Sequence, residues 1–166
     1  MSEKTFQCAR CGSTVPENKI KMVDDTHVCV KCMFCDTEPI EIYPIGFVKN
    51  DLQRNPEGFG VIGNKDHSRI ELFPTQEPFM YRLEDERYIC VVYHLHEHGN
   101  IRSVFERGLD GKEVGVFASR TPHRLNPVAI QNVELLKIEG TVLHVKGLDA
   151  INGSPVLDIK MQWSAL

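Results

Sequence analysis

The sequence predicts a mainly β protein: a compact antiparallel β-barrel preceded by a small metal-binding module. Two observations predict it. Five of the six cysteines crowd into residues 8–35. From residue 41 onward, short runs rich in Val, Ile and aromatic residues are separated by Gly, Pro and Asn, while helical periodicity stays weak. Many short strands with turn signals between them favour an antiparallel sheet closed into a barrel. The expected division is a cysteine-rich module over 1–40 and a barrel domain over 41–166.

In the first part, CARC (8–11) and CVKC (29–32) form two CxxC pairs. Each pair brings two thiolates toward one metal, and four sulfurs suit tetrahedral zinc. Gly12 fits the tight turn of a metal knuckle. The preferred ligand set is Cys8, Cys11, Cys29 and Cys32. Cys35, which makes an overlapping CMFC pair, is the alternative in place of Cys29, and His27 is a further candidate. The segment CARC…HVCVKCMFC resembles the first half of a LIM-type double finger, but the ligands of a second metal are missing, so one ion is expected. About 40 residues hold too little core to fold unaided, so the metal is expected to act as a staple. Contact with RNA or protein is the alternative role. Cys90 lies in an apolar run and is expected in the core.

In the second part, strands are expected over Ile42–Val48, Arg69–Phe73, Arg87–Leu95, Gly115–Ala118, Val128–Ile138, Thr141–Leu148 and Val156–Ile159. Glu139-Gly140 reads as a hairpin turn, because glycine accepts positive φ cheaply. Short helices are expected within Glu77–Arg87 and Ile101–Gly108.

The chain of 166 residues suits one domain, or one plus a small module. Its net charge of −4 excludes a polyelectrolyte that binds nucleic acid by bulk charge, though not a local basic site. The uninterrupted apolar runs, such as Ile89–Tyr93, fall far short of the roughly 20 residues of a spanning helix. The N-terminus has no apolar signal region, which points to the cytoplasm, where thiols stay reduced.

Three stretches carry candidate chemistry. GVFASRTPHRLNP (115–127) places Arg120, His123 and Arg124 between Pro122 and Pro127. Proline stiffens a loop, and guanidinium groups on a rigid loop suit an anionic or planar ligand. LDAINGSPVLDIK (148–160) puts Asp149, Asn152, Asp158 and Lys160 around an Asn152-Gly153 turn, where Asp149 could accept hydrogen bonds from ribose hydroxyls. HLHEH (94–98) alternates three histidines, which would share one face of a strand and offer either a metal site or a polar, ligand-contacting strand end.

These stretches resemble a known family. GVFASRTPHRLNP resembles the GVFATRSPxRPNP signature of the TsaA-like (TrmO-type) proteins, and LDAINGSPVLDIK is similar to their LDLxDGTPVLDIKPY. RLEDERYICVVYHLHE (82–97) is similar to GLExFSHLWxLxxFHQ, and YPIGFVKND (43–51) to the opening IGxIxSP strand. The resemblance covers about residues 41–163 and leaves the cysteine module out. It implies a compact β-barrel, a homodimer, and methylation of N6 of threonylcarbamoyladenosine in tRNA with S-adenosylmethionine as donor. It also implies cofactor contacts at His96, Glu97, Arg120, Asp149, Ala150, Ile151, Asn152 and Gly153, with Asn126 and Pro127 shaping the loop. His96 or Asp149 would accept the proton of the exocyclic nitrogen. His123, Arg124 and Lys160 would meet the RNA, and Phe117 could stack on a base.

The departures lie on the cofactor side. The family's PRQ motif has no counterpart; residues 55–68 read NPEGFGVIGNKDHS. RPNPIGxS becomes RLNPVAIQ, DGTP becomes NGSP, and IKPY becomes IKMQ. Two other readings follow from them: a non-catalytic module that binds nucleic acid or protein, and an enzyme using the same cofactor on a small molecule or protein.

Overall fold

The computed structural model describes residues 4–55 and 61–162. The chain forms two compact units: residues 1–41 with 98–127, and residues 42–97 with 128–166. The segment 98–127, expected within the barrel domain, clusters with the cysteine-rich residues instead.

In the first unit, β1 (Thr5–Gln7) pairs with β2 (Thr14–Pro16), and β3 (Ile20–Val23) with β4 (Thr26–Cys29). One short helix, α1 (Val30–Phe34), follows β4. The core of this unit is small: Cys8, Val23, Val28, Cys29 and Ile101.

The second unit is a closed six-stranded barrel. Its strands are β5 (Gly46–Lys49), β8 (Ser68–Leu72), β9 (Tyr88–His94), β12 (Val128–Glu139), β13 (Val142–Lys146) and β14 (Pro155–Met161), in the order β12-β13-β8-β5-β14-β9. A ribbon of β6 (Gln53–Arg54) and β7 (Val61–Ile62) stands outside the barrel. The remaining hairpin, β10 (Val104–Arg107) with β11 (Lys112–Gly115), belongs to the first unit.

The barrel closes because alternate residues are apolar. Ile89, Val91 and Tyr93 of β9 point inward with Val48, Ile70, Val133, Leu143, Val145 and Val156. Burying each such side chain contributes roughly 1.5–3 kcal/mol. Gly46 is required where β5 meets β8. A Cβ there would sit 2.7 Å from the Leu72 Cα and closer still to the Glu71 carbonyl oxygen, both backbone atoms that cannot step aside. Bulges interrupt the register at Leu135/Lys137 in β12 and at Val156/Asp158 in β14.

All neighbours in the barrel are antiparallel. The C-terminal ends of β5, β9 and β13 therefore open on the same mouth as the N-terminal ends of β8, β12 and β14. The connections 50–55, 95–97 and 147–154 all leave from that mouth.

Several sequence expectations are corrected. Ile101–Gly108 forms no helix: Val104–Arg107 is a strand, satisfied by its partner β11. Gly115–Ala118 is no strand, because β11 ends at Gly115 and a 3₁₀ turn covers Val116–Ala118. Glu77–Arg87 holds no α-helix. Pro78 lies within a 3₁₀ segment, Pro74–Met80, and Arg82 at φ 63° separates it from a second, Leu83–Asp85. Cys90 is half-buried on the outward set of β9, between the inward Ile89 and Val91. The hairpin residues joining β12 to β13 are Gly140-Thr141, one step later than read. Among the described residues, no helix is long and apolar enough to cross a membrane.

Candidate functional site

In the barrel unit, the mouth gathers residues from three connections, β5–β8, β9–β12 and β13–β14, and from the start of β12. The 147–154 connection carries Asp149 to Gly153 and is tied down from several sides. The Asn152 and Gly153 amides donate to the carbonyls of Leu52 and Val48, at 2.9 and 2.8 Å. The Asn50 side chain donates to the Ala150 carbonyl at 2.8 Å and to the Ser68 hydroxyl at 2.9 Å, and it accepts from the Leu52 amide at 3.1 Å. The Asn50 amide in turn donates to Asn152 Oδ1 at 3.3 Å. A neutral amide at 152 thus accepts this bond where the resembling motif has a carboxylate.

Gln131 braces the other side. Its Nε2 donates to the Gly147 carbonyl at 2.6 Å, and its Oε1 accepts from the Asp149 amide at 2.8 Å. Asp149 itself is half-exposed and ion-paired with Lys65 at 2.7 Å. His96 sits beside Gly153, where a Cβ would lie 3.8 Å from the imidazole Nε2, and 3.9 Å from a Glu97 carboxylate oxygen. Glu97, Ile151 and Asn152 line a depression of about 330 Å³ with Asn50 to Arg54. Its lining sets two carboxylates, Asp51 and Glu97, and one guanidinium, Arg54, among carboxamides and the apolar Leu52 and Ile151. That set suits a zwitterionic ligand, with its cationic groups at the carboxylates and an acidic group at Arg54.

Tyr93 lies beneath this connection, its hydroxyl 3.4 Å from the Asp149 carbonyl oxygen. Burial, and secondly the Asp149 charge, push its phenol up to about 12. A folded-state value above the unfolded one, about 10, gives stability that is complete below pH 10 and lost as pH rises toward 12. The wild type is therefore expected to lose about 2 kcal/mol of stability across that window relative to Tyr93→Phe. Urea unfolding of both proteins between pH 9 and 12 measures it, and parallel curves would refute the assignment.

The other candidates are dispersed. Lys160 lies five residues along β14 from the mouth, ion-paired with Asp158. β9 ends at His94, so His94, His96 and His98 do not share a strand face. Sequence reading missed Asn50, Lys65 and Gln131. Only the loss of serine at position 131 from the resembling motif hinted at any of them.

In the first unit, the loop 115–127 is held by its own polar groups. Arg124 Nη1 donates to the Ser119 carbonyl at 2.7 Å, and His123 Nδ1 lies 3.1 Å from the Asn100 carbonyl oxygen. Thr121 is buried, and its hydroxyl accepts from the His123 amide at 3.4 Å. Arg124 and His123 thus each give one bond to the shape of the loop. Arg120 and Phe117 are left exposed, the latter 77%.

The same unit holds the cysteine cluster. The four sulfurs of Cys8, Cys11, Cys29 and Cys32 all lie within 4.8 Å of one another. Zinc–sulfur bonds of about 2.3 Å give a tetrahedron with edges of about 3.8 Å, and Cys11 and Cys29 stand 3.8 Å apart. That separation is far beyond a disulfide bond. Backbone amides converge on the sulfurs: Cys29 and Arg10 donate to Cys8 at 3.2 and 3.4 Å, and Cys32 donates to Cys29 at 3.4 Å. The Cys29 amide is the main reason the Cys8 thiol is lowered to about 6, while neighbouring thiols, Cys29 first, push Cys32 up to about 12. Cys35 and His27 stand outside the cluster. Cys35 caps α1 at φ 59°, and His27 stacks on Phe6.

Comparison with known proteins places these features. The family model of the tRNA-methyltransferase O N-terminal domain matches residues 50–165. Two archaeal relatives carry the name "Probable S-adenosyl-L-methionine-binding protein". The one from Archaeoglobus fulgidus is 42% identical over 58% of this chain and 26% of its own length. The one from Methanothermobacter thermautotrophicus is 40% identical over 73% of this chain and 88% of its own length. A human tRNA (adenine(37)-N6)-methyltransferase is 30% identical over 80% of this chain, which spans only 32% of that enzyme. The crystal structure of TrmO from Pseudomonas aeruginosa superposes with a TM-score of 0.56 at 22% identity, over 76% of this chain and 57% of that one.

Proposed function

We propose, because the chain belongs to the tRNA-methyltransferase O N-terminal domain family, that it is an S-adenosylmethionine-dependent methyltransferase acting on N6 of threonylcarbamoyladenosine in tRNA. One observation carries the reading. The barrel mouth gathers His96, Glu97 and Asp149 to Gly153, the positions matching the family's cofactor-contacting motifs, beside a depression lined by Asp51 and Glu97. Carboxylates there complement the sulfonium and ammonium charges of the methyl donor.

When bound, the donor supplies a methyl group already activated on sulfur. The chain's own residues then bind, orient and move a proton. Glu97 and Asp51 hold the cationic groups. Asp149, ion-paired with Lys65, accepts hydroxyl hydrogen bonds. His96, whose imidazole nitrogen can accept a proton, takes the one released from the exocyclic nitrogen. Arg120, exposed on its rigid loop, offers a guanidinium to a carboxylate or phosphate. We further read the four-cysteine cluster as a structural zinc site with no open position, and the protein as cytoplasmic and, as the family resemblance implies, a homodimer.

Calorimetric titration with S-adenosylmethionine, followed by transfer of labelled methyl to tRNA carrying threonylcarbamoyladenosine, tests the reading. Binding in the micromolar range is expected, weakened at least tenfold by Glu97→Ala. His96→Ala is expected to lower transfer about 100-fold, the usual scale for a lost proton acceptor, with a smaller effect on binding. No binding at millimolar donor would overturn the proposal.

A further inference from the structure

A second depression, of about 400 Å³, adjoins the first at the same barrel mouth. The two share Asn50, Asp51 and Asn152 as a common wall. The far side of the second is basic: Lys49, His67 and Arg69, with Asn64 between β7 and β8.

The charges are arranged by the sheet. Lys49 and Arg69 are direct cross-strand partners on β5 and β8, and His144 of β13 is the next partner of Arg69. Lys137 of β12 extends the row opposite His144. Like charges directly opposite one another destabilise a sheet, so such a row calls for counter-charge. Its far end has one: Glu139 lies 2.7 Å from Lys137 and 2.8 Å from His144. Arg69 has only a looser contact, 3.4 Å to Glu71. Lys49 makes no ion pair among the described residues, and it is exposed.

His67 adds to this end. Its Nε2 lies 3.0 Å from His144 Nδ1, a hydrogen bond that fixes the ring at the rim. Asn64 uses its carbonyl oxygen to accept from the Asp66 amide at 2.7 Å, which leaves its amide hydrogens for a ligand. The one acid in the lining, Asp51, belongs to the shared wall, where the neighbouring depression takes a cation. In a protein of net charge −4, a rim carrying Lys49, His67 and Arg69 is a local device rather than bulk attraction.

We propose that this second depression, rimmed by Lys49, His67 and Arg69, receives a backbone phosphate of the RNA substrate and so sets the register of the target nucleotide against the methyl donor. The inference rests on the reading of the first depression as the donor site. Lys49 and Arg69 supply charge, and Asn64 supplies a neutral donor that fixes direction. Phosphate contacts of this kind position a nucleic acid without reading its sequence.

The test uses the full chain and its Lys49→Gln/Arg69→Gln double variant, both at exposed positions. Three titrations are run on each: labelled tRNA by anisotropy across a salt series, inorganic phosphate by ³¹P shift, and S-adenosylmethionine by calorimetry. The variant is expected to bind tRNA at least tenfold more weakly. Its slope of log affinity against log salt should fall by roughly 0.8, as for one lost phosphate contact. Donor affinity is expected to stay at the wild-type value, which also reports an intact fold. With Arg69→Gln in place, Lys49→Arg should bind tRNA as well as Arg69→Gln alone and better than the double variant.

Equal tRNA affinity and slope in variant and wild type, with donor binding intact, would overturn the site and leave the donor reading standing. A variant that loses only inorganic phosphate would identify a free phosphate ligand and overturn the RNA assignment. Failure of the donor reading has its own signature: the wild type takes up no donor, while tRNA binding still depends on Lys49 and Arg69.

Discussion

The purified chain is expected to carry one zinc ion, and Cys8→Ser is expected to release it and unfold the unit formed by residues 4–41 and 98–127. The reason is the size of that unit's core. Of its five buried core residues, two, Cys8 and Cys29, are themselves cluster members, leaving Val23, Val28 and Ile101 as the fully buried aliphatic side chains of that cluster, with Val15, Ile20, Met33 and Leu125 only partly buried against it. Three aliphatic side chains supply only about 5–8 kcal/mol of burial, far below the conformational entropy of ordering the segments they join. A structural zinc contributes about 10–16 kcal/mol, which exceeds the stability of many whole domains. Metal analysis with hydrogen exchange checks both parts. Protection should vanish in β3, β4 and β10 and persist in β8, β9 and β13. Cys35→Ser should keep the metal, because Cys35 stands outside the cluster. A Cys8→Ser protein that retained zinc and full protection would exclude the assignment.

The contrast between what was legible and what was not follows from locality. The two CxxC pairs could be read directly, since a metal knuckle needs only neighbours along the chain. So could β9, whose alternation of Ile89, Val91 and Tyr93 with polar or half-exposed neighbours has one physical explanation. The choice between Cys29 and Cys35 was less accessible. It depends on the turn of α1, which buries Cys29 and leaves Cys35 exposed at a positive φ. Val104–Arg107 was misread because four residues of mixed polarity carry no periodicity, and only pairing with β11 decides their state. The polar hubs of the mouth were silent for the same reason. Asn50 bonds to partners 100 and 102 positions away, and the opening-strand motif that contains it does not show those partners. Motif resemblance pointed to Asp149–Gly153; closure of the barrel brought Asn50 and Gln131 to them.

Asn50→Ala is expected to cost about 3 kcal/mol of stability and to weaken donor binding well beyond that loss of fold. The side chain makes three hydrogen bonds, to Ser68, Ala150 and Leu52. Removing it strands the Ser68 hydroxyl, which is 1% exposed, and the groups of the two connections it joins. Each net hydrogen bond is worth roughly 1 kcal/mol, more where a buried partner is left unsatisfied. For a chain of this length that corresponds to a fall in melting temperature of about 6–12 °C. The larger consequence is loss of preorganisation. Without the Asn50 side chain, the 150–153 turn loses its tie at Ala150 and keeps the backbone bonds to Val48 and Leu52 and the residue-50 amide bond to Asn152 Oδ1, so a ligand would have to order more of the loop on binding. Asn50→Asp should be no better: it keeps an acceptor for the Leu52 amide but sets a carboxylate against the Ala150 carbonyl oxygen. Urea unfolding and calorimetry on the same samples separate the two effects. Lower stability with unchanged donor affinity would mean that Asn50 serves the barrel alone and that the turn at Asn152-Gly153 is not part of the donor site.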